Sequence, residues 1–211
     1  DLVEASTALF SRELRNDFGY DLIFGDGTTG EFNGLFGGRY SKVESAKPSD
    51  TRSLDFISGI QTGVLGGYPT TDNTEIVRQL NELISLVAEE HRKESKFYMS
   101  SFLRKHLRDL TALSAVGLID FKVVNIDGKP IELLFGYEIV IDDNIPDVDG
   151  STASPLAFFG HMAGTVMLER VDERLFANPF KLDGIVTYEM TSRIKESMKD
   201  NTAMAILVAE V

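Results

Sequence analysis

The sequence contains no cysteine. This absence excludes disulfide bonds, cysteine-ligated zinc and thiol catalysis, and it suits a reducing cytoplasm. No apolar run approaches the ~18 residues of a membrane span, and no charged and then apolar leader precedes the first helical pattern. We therefore expect a soluble, intracellular protein with no membrane partner. The 211 residues, 43% hydrophobic and 26% charged, suffice for one large domain or two small ones.

Acidic residues outnumber basic residues, and the net charge of −12 is unevenly distributed along the sequence. The acidic segment, residues 126–150, has a local net charge of −6. Its one basic residue is Lys129, and its seven acidic residues are Asp127, Glu132, Glu138, Asp142, Asp143, Asp147 and Asp149. The basic segment, residues 91–108, contains Arg92, Lys93, Lys96, Arg104, Lys105 and Arg108. Because no base-reading motif accompanies these cations, we expect no sequence-specific nucleic-acid binding. The two complementary segments suit head-to-tail association of copies of the chain.

Gly25, Gly27 and Gly30 match the spacing of the dinucleotide-binding fingerprint. In that fingerprint a strand delivers the glycines to a helix whose free N–H groups hold the pyrophosphate. Here a helical pattern precedes the glycines and a loop follows them, so we predict no nucleotide cofactor. The residues predict instead a helix stop at Gly25 and a turn in which Asp26 bonds the backbone.

Apolar periodicity predicts three helices in the first half of the chain. Residues 2 to about 23 show helical spacing, and so do the segment that begins at Asp72 and Glu75 and the segment that begins near Ser100. Between the first two helices, residues 37–71 are rich in Gly, Pro, Ser and Thr, which predicts a long loop with at most short strands.

From residue 117 the period shifts to two. Two apolar runs on either side of Asp127-Gly128 predict a hairpin, and residues 137–141 predict a further strand. Long half-exposed strands are predicted around Val166 and around Val186, and Met204–Val208 is typical of a buried strand. Helices followed by mostly antiparallel strands predict an α+β fold.

Candidate catalytic and metal-binding residues all have a structural interpretation. His91, His106 and His161 are scattered in the sequence, so no zinc site is predicted, and His106 lies on a helical face. The acids of residues 142–149 lack the ligand alternation, the central glycine and the final glutamate of a calcium loop. Met162 stands where a nucleophile elbow requires serine. We therefore predict no catalytic, cofactor-binding or metal-binding residue, and no enzyme.

Four short sequence motifs, in order along the chain, resemble those of tailed-phage major capsid proteins of the Hong Kong 97 type. They are Phe24-Gly25-Asp26-Gly27-Thr28 before Gly34-Leu35; Phe97-Tyr98-Met99-Ser100-Ser101; Leu134-Phe135-Gly136-Tyr137-Glu138 running on to Pro146-Asp147; and Ala157-Phe158-Phe159-Gly160 before Leu168-Glu169-Arg170. The chain departs from the family's usual residues at Phe24, Glu138 and His161. The resemblance covers most of the 211 residues.

The resemblance implies a structural subunit of a phage or prophage capsid. Such subunits assemble into pentamers and hexamers that enclose double-stranded DNA, with a scaffold or protease and a portal as further partners. The virion capsid is then the final location, after synthesis in the bacterial cytoplasm. Alternative interpretations are an encapsulin-like shell that encloses enzyme cargo, and a small hydrolase or sugar-binding protein.

The same resemblance implies a division into two parts. Residues 1–36 and 162–196 would form a peripheral domain of spine helix and long strands, and residues 37–161 and 197–211 an axial domain. The loop between the long strands would lie near threefold contacts, where the resemblance places five subunit-interface residues: Arg174, Phe176, Asn178, Phe180 and Asp183.

The family's N-terminal arm and extended loop have no counterpart in this sequence, which therefore resembles a chain truncated at its N-terminus. We expect it to remain a monomer or a small, salt-sensitive oligomer. One branch of the family joins its subunits by isopeptide bonds between Lys and Asn. Because the Asn position falls on Asp183 here, we also expect no self-crosslinking.

Overall fold

A computed structural model describes most of the chain. It covers residues 2–28, 32–48, 51–53, 55–64, 73–113, 119–147, 152–182 and 185–210. In residues 2–7, 10, 73, 112–113, 168–182 and 185–194, the description is of the backbone alone.

The described residues form an α+β fold, as predicted: every α-helix lies before residue 114, and the rest of the chain contributes mainly strands. The helices are α1 (Leu2–Phe24), α2 (Lys42–Ser45), α3 (Asn73–Leu86), α4 (Glu89–Arg92) and α5 (Ser101–Leu113). The strands are β1 (Ser58–Gln61), β2 (Lys96–Met99), β3 (Phe121–Ile126), β4 (Lys129–Leu134), β5 (Tyr137–Ile141), β6 (Ser154–Gly160), β7 (Thr165–Leu182), β8 (Ile185–Met198) and β9 (Met204–Ala209).

Seven of these strands form one mixed sheet in the order β1-β9-β6-β2-β5-β4-β3. The β1–β9 and β2–β5 pairs are parallel, and the others are antiparallel. The predicted β3–β4 hairpin is confirmed: its turn places Asp127 and Gly128 at φ 51° and 77°, the left-handed conformation that a two-residue hairpin loop requires.

The sheet is buried on both faces at its centre. Alternate residues of β9 point to opposite sides, so Ala205 and Leu207 join one hydrophobic cluster while Ile206 and Val208 join the other. The first cluster includes apolar side chains of α3 and α5. The second includes Ile23, at the end of α1. The helices therefore cover one face, and the end of α1 with its following loop covers the other.

The turn after α1 has the predicted form. Gly25 follows the last helical residue, Gly27 has φ 77°, and the Thr28 N–H donates to Asp26 Oδ1 over 2.8 Å. The loop of residues 34–37 then folds back on the helix, because the N–H groups of Leu35 and Phe36 donate to the carbonyls of Leu22 and Ile23 over 2.8 and 2.7 Å. These bonds satisfy carbonyl groups that a helix end leaves free.

The structure also contains elements that the sequence patterns did not predict. β6 is fully buried and therefore shows no alternation, and α2 lies within the segment that was expected to be loop. In the described part of residues 37–71, the predicted loop contains one short strand, β1. The third helix begins at Asn73, and its predicted capping residue Asp72 lies outside the described residues.

Candidate functional site

The long hairpin of β7 and β8 is a two-stranded sheet separate from the seven-stranded one. Its strands have 18 and 14 residues, so β7 spans roughly 60 Å at about 3.3 Å per residue. Pairing runs from Thr165 opposite Met198 at the base to Leu182 opposite Ile185 near the tip, with three register shifts on the way. The sequence patterns predicted both strands, and the structure joins them into one projecting element.

Four of the five expected interface residues lie on β7. Arg174 pairs with Thr191, Phe176 with Glu189, and Asn178 with Thr187, all in the half of the hairpin distant from its base. Phe180 lies within the same strand, at a register shift. Asp183 lies outside the described residues.

A buried ion pair fastens the base of the hairpin to the loop after α1. Arg39 Nη2 donates to Glu196 Oε2 over 2.6 Å, and the two side chains are only 4% and 1% exposed. Arg39 Nε and Glu196 Oε1 are buried and have no hydrogen-bond partner among the described residues. The pair joins positions 157 residues apart, so it links the start and the end of the fold.

Histidines and carboxylates gather at the same base. His91 Nε2 lies 2.8 Å from Asp200 Oδ2 and 3.6 Å from Glu90 Oε1, while His161 Nε2 lies 3.2 Å from Glu94 Oε2. The two imidazole rings are 6.3 Å apart between centroids. The sequence interpretation of three scattered histidines therefore misses this cluster, because the pairing of β6 with β2 and β9 brings its members together.

The Asp200 carboxylate in this cluster is held in its charged form. Partial burial by itself raises its pKa, but hydrogen bonds from Thr202 and His91 outweigh that effect and lower the pKa below its usual value. Thr202 provides two of these bonds to Asp200 Oδ1, from its N–H over 2.9 Å and from its hydroxyl over 2.7 Å.

The β3–β4 hairpin presents apolar side chains to solvent at one edge of the seven-stranded sheet. Val123 and Ile126 are 57% and 50% exposed, Val124 is also exposed, and so is Ile141 at the end of the neighbouring strand β5. β3 is the edge strand, so its outer backbone groups are open to another chain. Exposed apolar residues beside an open edge are features of a protein-protein contact.

The basic and acidic segments pair within the chain. Arg104 holds Glu132 with two hydrogen bonds of 2.5 and 2.7 Å, and Lys96 Nζ lies 2.7 Å from Glu138 Oε2. The hydrogen bonds from Arg104 lower the pKa of Glu132. Association between copies through these segments was expected from the sequence, but part of their charge is already neutralised here because α5, β2, β4 and β5 are neighbours in the fold.

The acidic loop after β5 forms a turn closed by its own side chain. Asp142 Oδ1 accepts hydrogen bonds from the Asn144 N–H and side-chain amide over 3.0 and 2.9 Å. This is the surface turn that the sequence favoured for these residues.

No helix in the described part of the chain has both the length and the apolar character needed to cross a membrane.

Comparison with known proteins gives a family match and several fold matches. The family model described as "Phage capsid family" matches residues 10–208. No curated protein matches the sequence.

Three solved structures illustrate the similarity of fold. A chain from the capsid of an empty GTA particle, computed with C5 symmetry, superimposes with a TM-score of 0.75 at 19% identity, covering 100% of this chain and 67% of that one. The holo-SrpI encapsulin complex of Synechococcus elongatus PCC 7942 gives 0.66 at 14% identity, with 98% and 65% covered. Gordonia phage Cozz gives 0.58 at 16% identity, with 100% and 64% covered. The chain thus spans about two thirds of the length of the chains that it matches.

Proposed function

Because the chain belongs to the phage capsid family, its role is that of a structural subunit of a capsid shell, and we propose that it forms the pentamers and hexamers of an icosahedral shell around double-stranded DNA. The observation that carries the proposal is the family match over residues 10–208, which includes both the seven-stranded sheet and the long hairpin. A shell subunit works by holding its neighbours and needs no catalytic group, so we propose no enzymatic activity.

The long hairpin is the first proposed contact surface. We assign Arg174, Phe176, Asn178, Phe180 and Asp183 to contacts between subunits near the threefold axes. The position of β7 supports this assignment, because a strand of 18 residues in a separate two-stranded sheet extends away from the main core. Such a projection can reach a neighbouring subunit and add to the roughly 1,200–2,000 Å² that a stable interface buries.

The β3–β4 hairpin is the second proposed contact surface. It belongs to the proposed axial part, residues 37–161 and 197–211, which would surround the fivefold and sixfold axes. Its exposed Val123, Val124 and Ile126 support this placement, since burial of about 25 cal/mol per Å² of apolar surface would favour contact with the next subunit. The peripheral part, residues 1–36 and 162–196, would then contain the long hairpin.

Membership of the family also suggests partners that take part in assembly. We propose synthesis in the bacterial cytoplasm, with a scaffold or protease and a portal taking part in assembly. An encapsulin-like shell with protein cargo is the second candidate, favoured by the TM-score of 0.66 with the SrpI encapsulin complex. The contents of purified particles distinguish the two candidates: nuclease-protected double-stranded DNA in one case, protein cargo in the other.

Alanine substitution on the long hairpin tests the proposed contact. In the complete reading frame that includes this chain, the triple variant Arg174→Ala, Phe176→Ala, Asn178→Ala should reduce the yield of sedimenting particles at least about tenfold, because truncation of a single hot-spot residue costs about 2 kcal/mol or more. The melting temperature of the subunit should stay within a few degrees. A control variant, Arg78→Ala with Glu82→Ala on the exposed face of α3, should give the parental yield. A triple variant that assembles at the parental yield would refute the assignment.

A further inference from the structure

We propose that the chain binds one transition-metal ion, with Zn²⁺ as the physiological candidate, at the base of the long hairpin through His91, Asp200, Glu90 and His161. This site goes beyond the shell function, and nothing in the assembly argument requires it. The ligands come from three separate segments: α4, the turn before β7 and the turn after β8.

The spacing of the donor atoms fits a metal ion. One ligand atom each from Glu90, His91 and Asp200 lies within 4.8 Å of the other two. A tetrahedral zinc site with bonds of about 2.0–2.1 Å places its ligand atoms about 3.4 Å apart. The distances from His91 Nε2, 2.8 Å to Asp200 and 3.6 Å to Glu90, lie on either side of that value. Small side-chain rotations therefore suffice to surround an ion.

A second imidazole is available as the fourth ligand. The ring of His161 lies 6.3 Å from that of His91, and two imidazoles on one tetrahedral ion have ring centres about 5 Å apart. The His161 side chain is 27% exposed, and a rotation of its ring toward His91 would close the remaining distance. Glu94, now 3.2 Å from His161 Nε2, can take the place of Glu90 or accept a hydrogen bond from the ligated ring.

The surroundings already orient one ligand. Thr202 donates its N–H and its hydroxyl to Asp200 Oδ1, which turns the other oxygen, Oδ2, toward His91. Outer hydrogen bonds of this kind fix the direction of ligands in metal sites. A carboxylate with one oxygen held and the other facing an imidazole is thus prepared to bind a cation.

The donor set selects the kind of ion. Imidazole nitrogens combined with carboxylate oxygens suit Zn²⁺, Co²⁺ and Ni²⁺, whereas Mg²⁺ and Ca²⁺ prefer oxygen ligands alone. An ion bound here would tie both ends of the hairpin to α4. It would also stabilise the folded chain by mass action, since the unfolded chain cannot assemble these ligands.

Isothermal titration calorimetry of the full chain with ZnCl₂ tests the site. We expect one Zn²⁺ per chain, the visible absorption of a tetrahedral site with Co²⁺, and no heat of binding with CaCl₂ or MgCl₂. His91→Ala and His161→Gln should each weaken Zn²⁺ binding at least about tenfold. His106→Gln is the matched control, because His106 lies on α5, outside the cluster, and it should bind like the parent chain.

Imidazole nitrogen NMR provides a second measurement, which identifies the rings that bind the ion. Zn²⁺ should shift the ring resonances of His91 and His161 and leave those of His106 unchanged, in chains whose circular dichroism shows that they are folded. The proposal is overturned if no Zn²⁺ binds, if His106→Gln weakens binding as much as His91→Ala, or if Ca²⁺ binds as well as Zn²⁺.

Discussion

Gly37 shows how closely single residues are constrained in this fold. A Cβ atom at this position would lie 2.0 Å from the Phe24 carbonyl oxygen, a backbone atom at the end of α1. The loop of residues 34–37 can approach the helix only because no side chain intervenes, and this approach makes the hydrogen bonds to Leu22 and Ile23. Gly37 therefore serves this close approach of the loop backbone to the helix end.

Gly37→Ala should destabilise the chain by roughly 2–3 kcal/mol, since the loop must move away from the helix end. Urea unfolding measures this change. Gly19→Ala is the control: the Cβ atom would meet only the flexible end of Asn144, and the gain of about 1 kcal/mol in helix propensity compensates for its displacement. Equal losses of stability in the two variants would contradict this account of Gly37.

The ion pair of Arg104 and Glu132 makes a pH-dependent contribution to the stability of the folded chain. Hydrogen bonds from Arg104 lower the pKa of Glu132, so the folded state gains stability from the ionised carboxylate. That gain is complete above the ordinary glutamate pKa near 4.3 and is lost as the pH falls through the lower folded value.

Arg104→Gln should therefore cost about 1 kcal/mol at pH 6 and progressively less as the pH approaches 3. Urea unfolding of both chains across this range provides the measurement. Arg78→Gln, which removes two exposed ion pairs on α3, with Glu75 and Glu82, should have a much smaller effect. A difference between the Arg104→Gln and parent chains that stays constant from pH 6 to pH 3 would rule out the ion pair as its cause.

Elements with a strong local pattern could be predicted from the sequence. The apolar spacing of α1, α3 and α5 and the Asp127-Gly128 turn of the β3–β4 hairpin are local signals, and the structure confirms them. β6 carries no such signal, because burial on both faces removes the alternation. The pairing of β1 with β9 joins Ser58 to Ala205, and no local pattern specifies a partner so distant in the sequence.

Local sequence patterns could not indicate the residues of either candidate site. The interface residues proposed on β7 came from the resemblance to a family, since strand periodicity alone does not indicate which strand meets a neighbour. The metal-ligand cluster was missed because His91, His161 and Asp200 lie in separate segments that only the order of strands in the sheet brings together. A search for ligand spacing along the chain cannot find such a site.

The connection between the loop after α1 and β8 depends on a buried charge pair. Arg39→Met and Glu196→Leu should each destabilise the chain by about 3 kcal/mol or more, because each leaves the opposite charge buried and unpaired. The double variant should recover most of the loss, since two apolar side chains can share the space. Chemical denaturation of all four chains gives the coupling energy. Additive losses in the double variant would mean that the pair does not act as a unit.

The whole molecule is organised around the base of the long hairpin. There Glu196 meets the loop after α1 and, four residues later, Asp200 meets α4, while Gly164 accepts hydrogen bonds from the N–H groups of Lys199 and Asp200. The base of the hairpin is thus tied to two different parts of the fold, the loop after α1 and α4.

Electron cryomicroscopy of particles from cells that express the complete reading frame tests whether this chain is a capsid subunit. We expect closed icosahedral shells of pentamers and hexamers, with the seven-stranded sheet near the fivefold and sixfold axes, the long hairpin at threefold contacts, and nuclease-protected DNA inside packaged particles. A product that remains monomeric, or an assembly in which the β3–β4 hairpin and the long hairpin both face solvent, would contradict it.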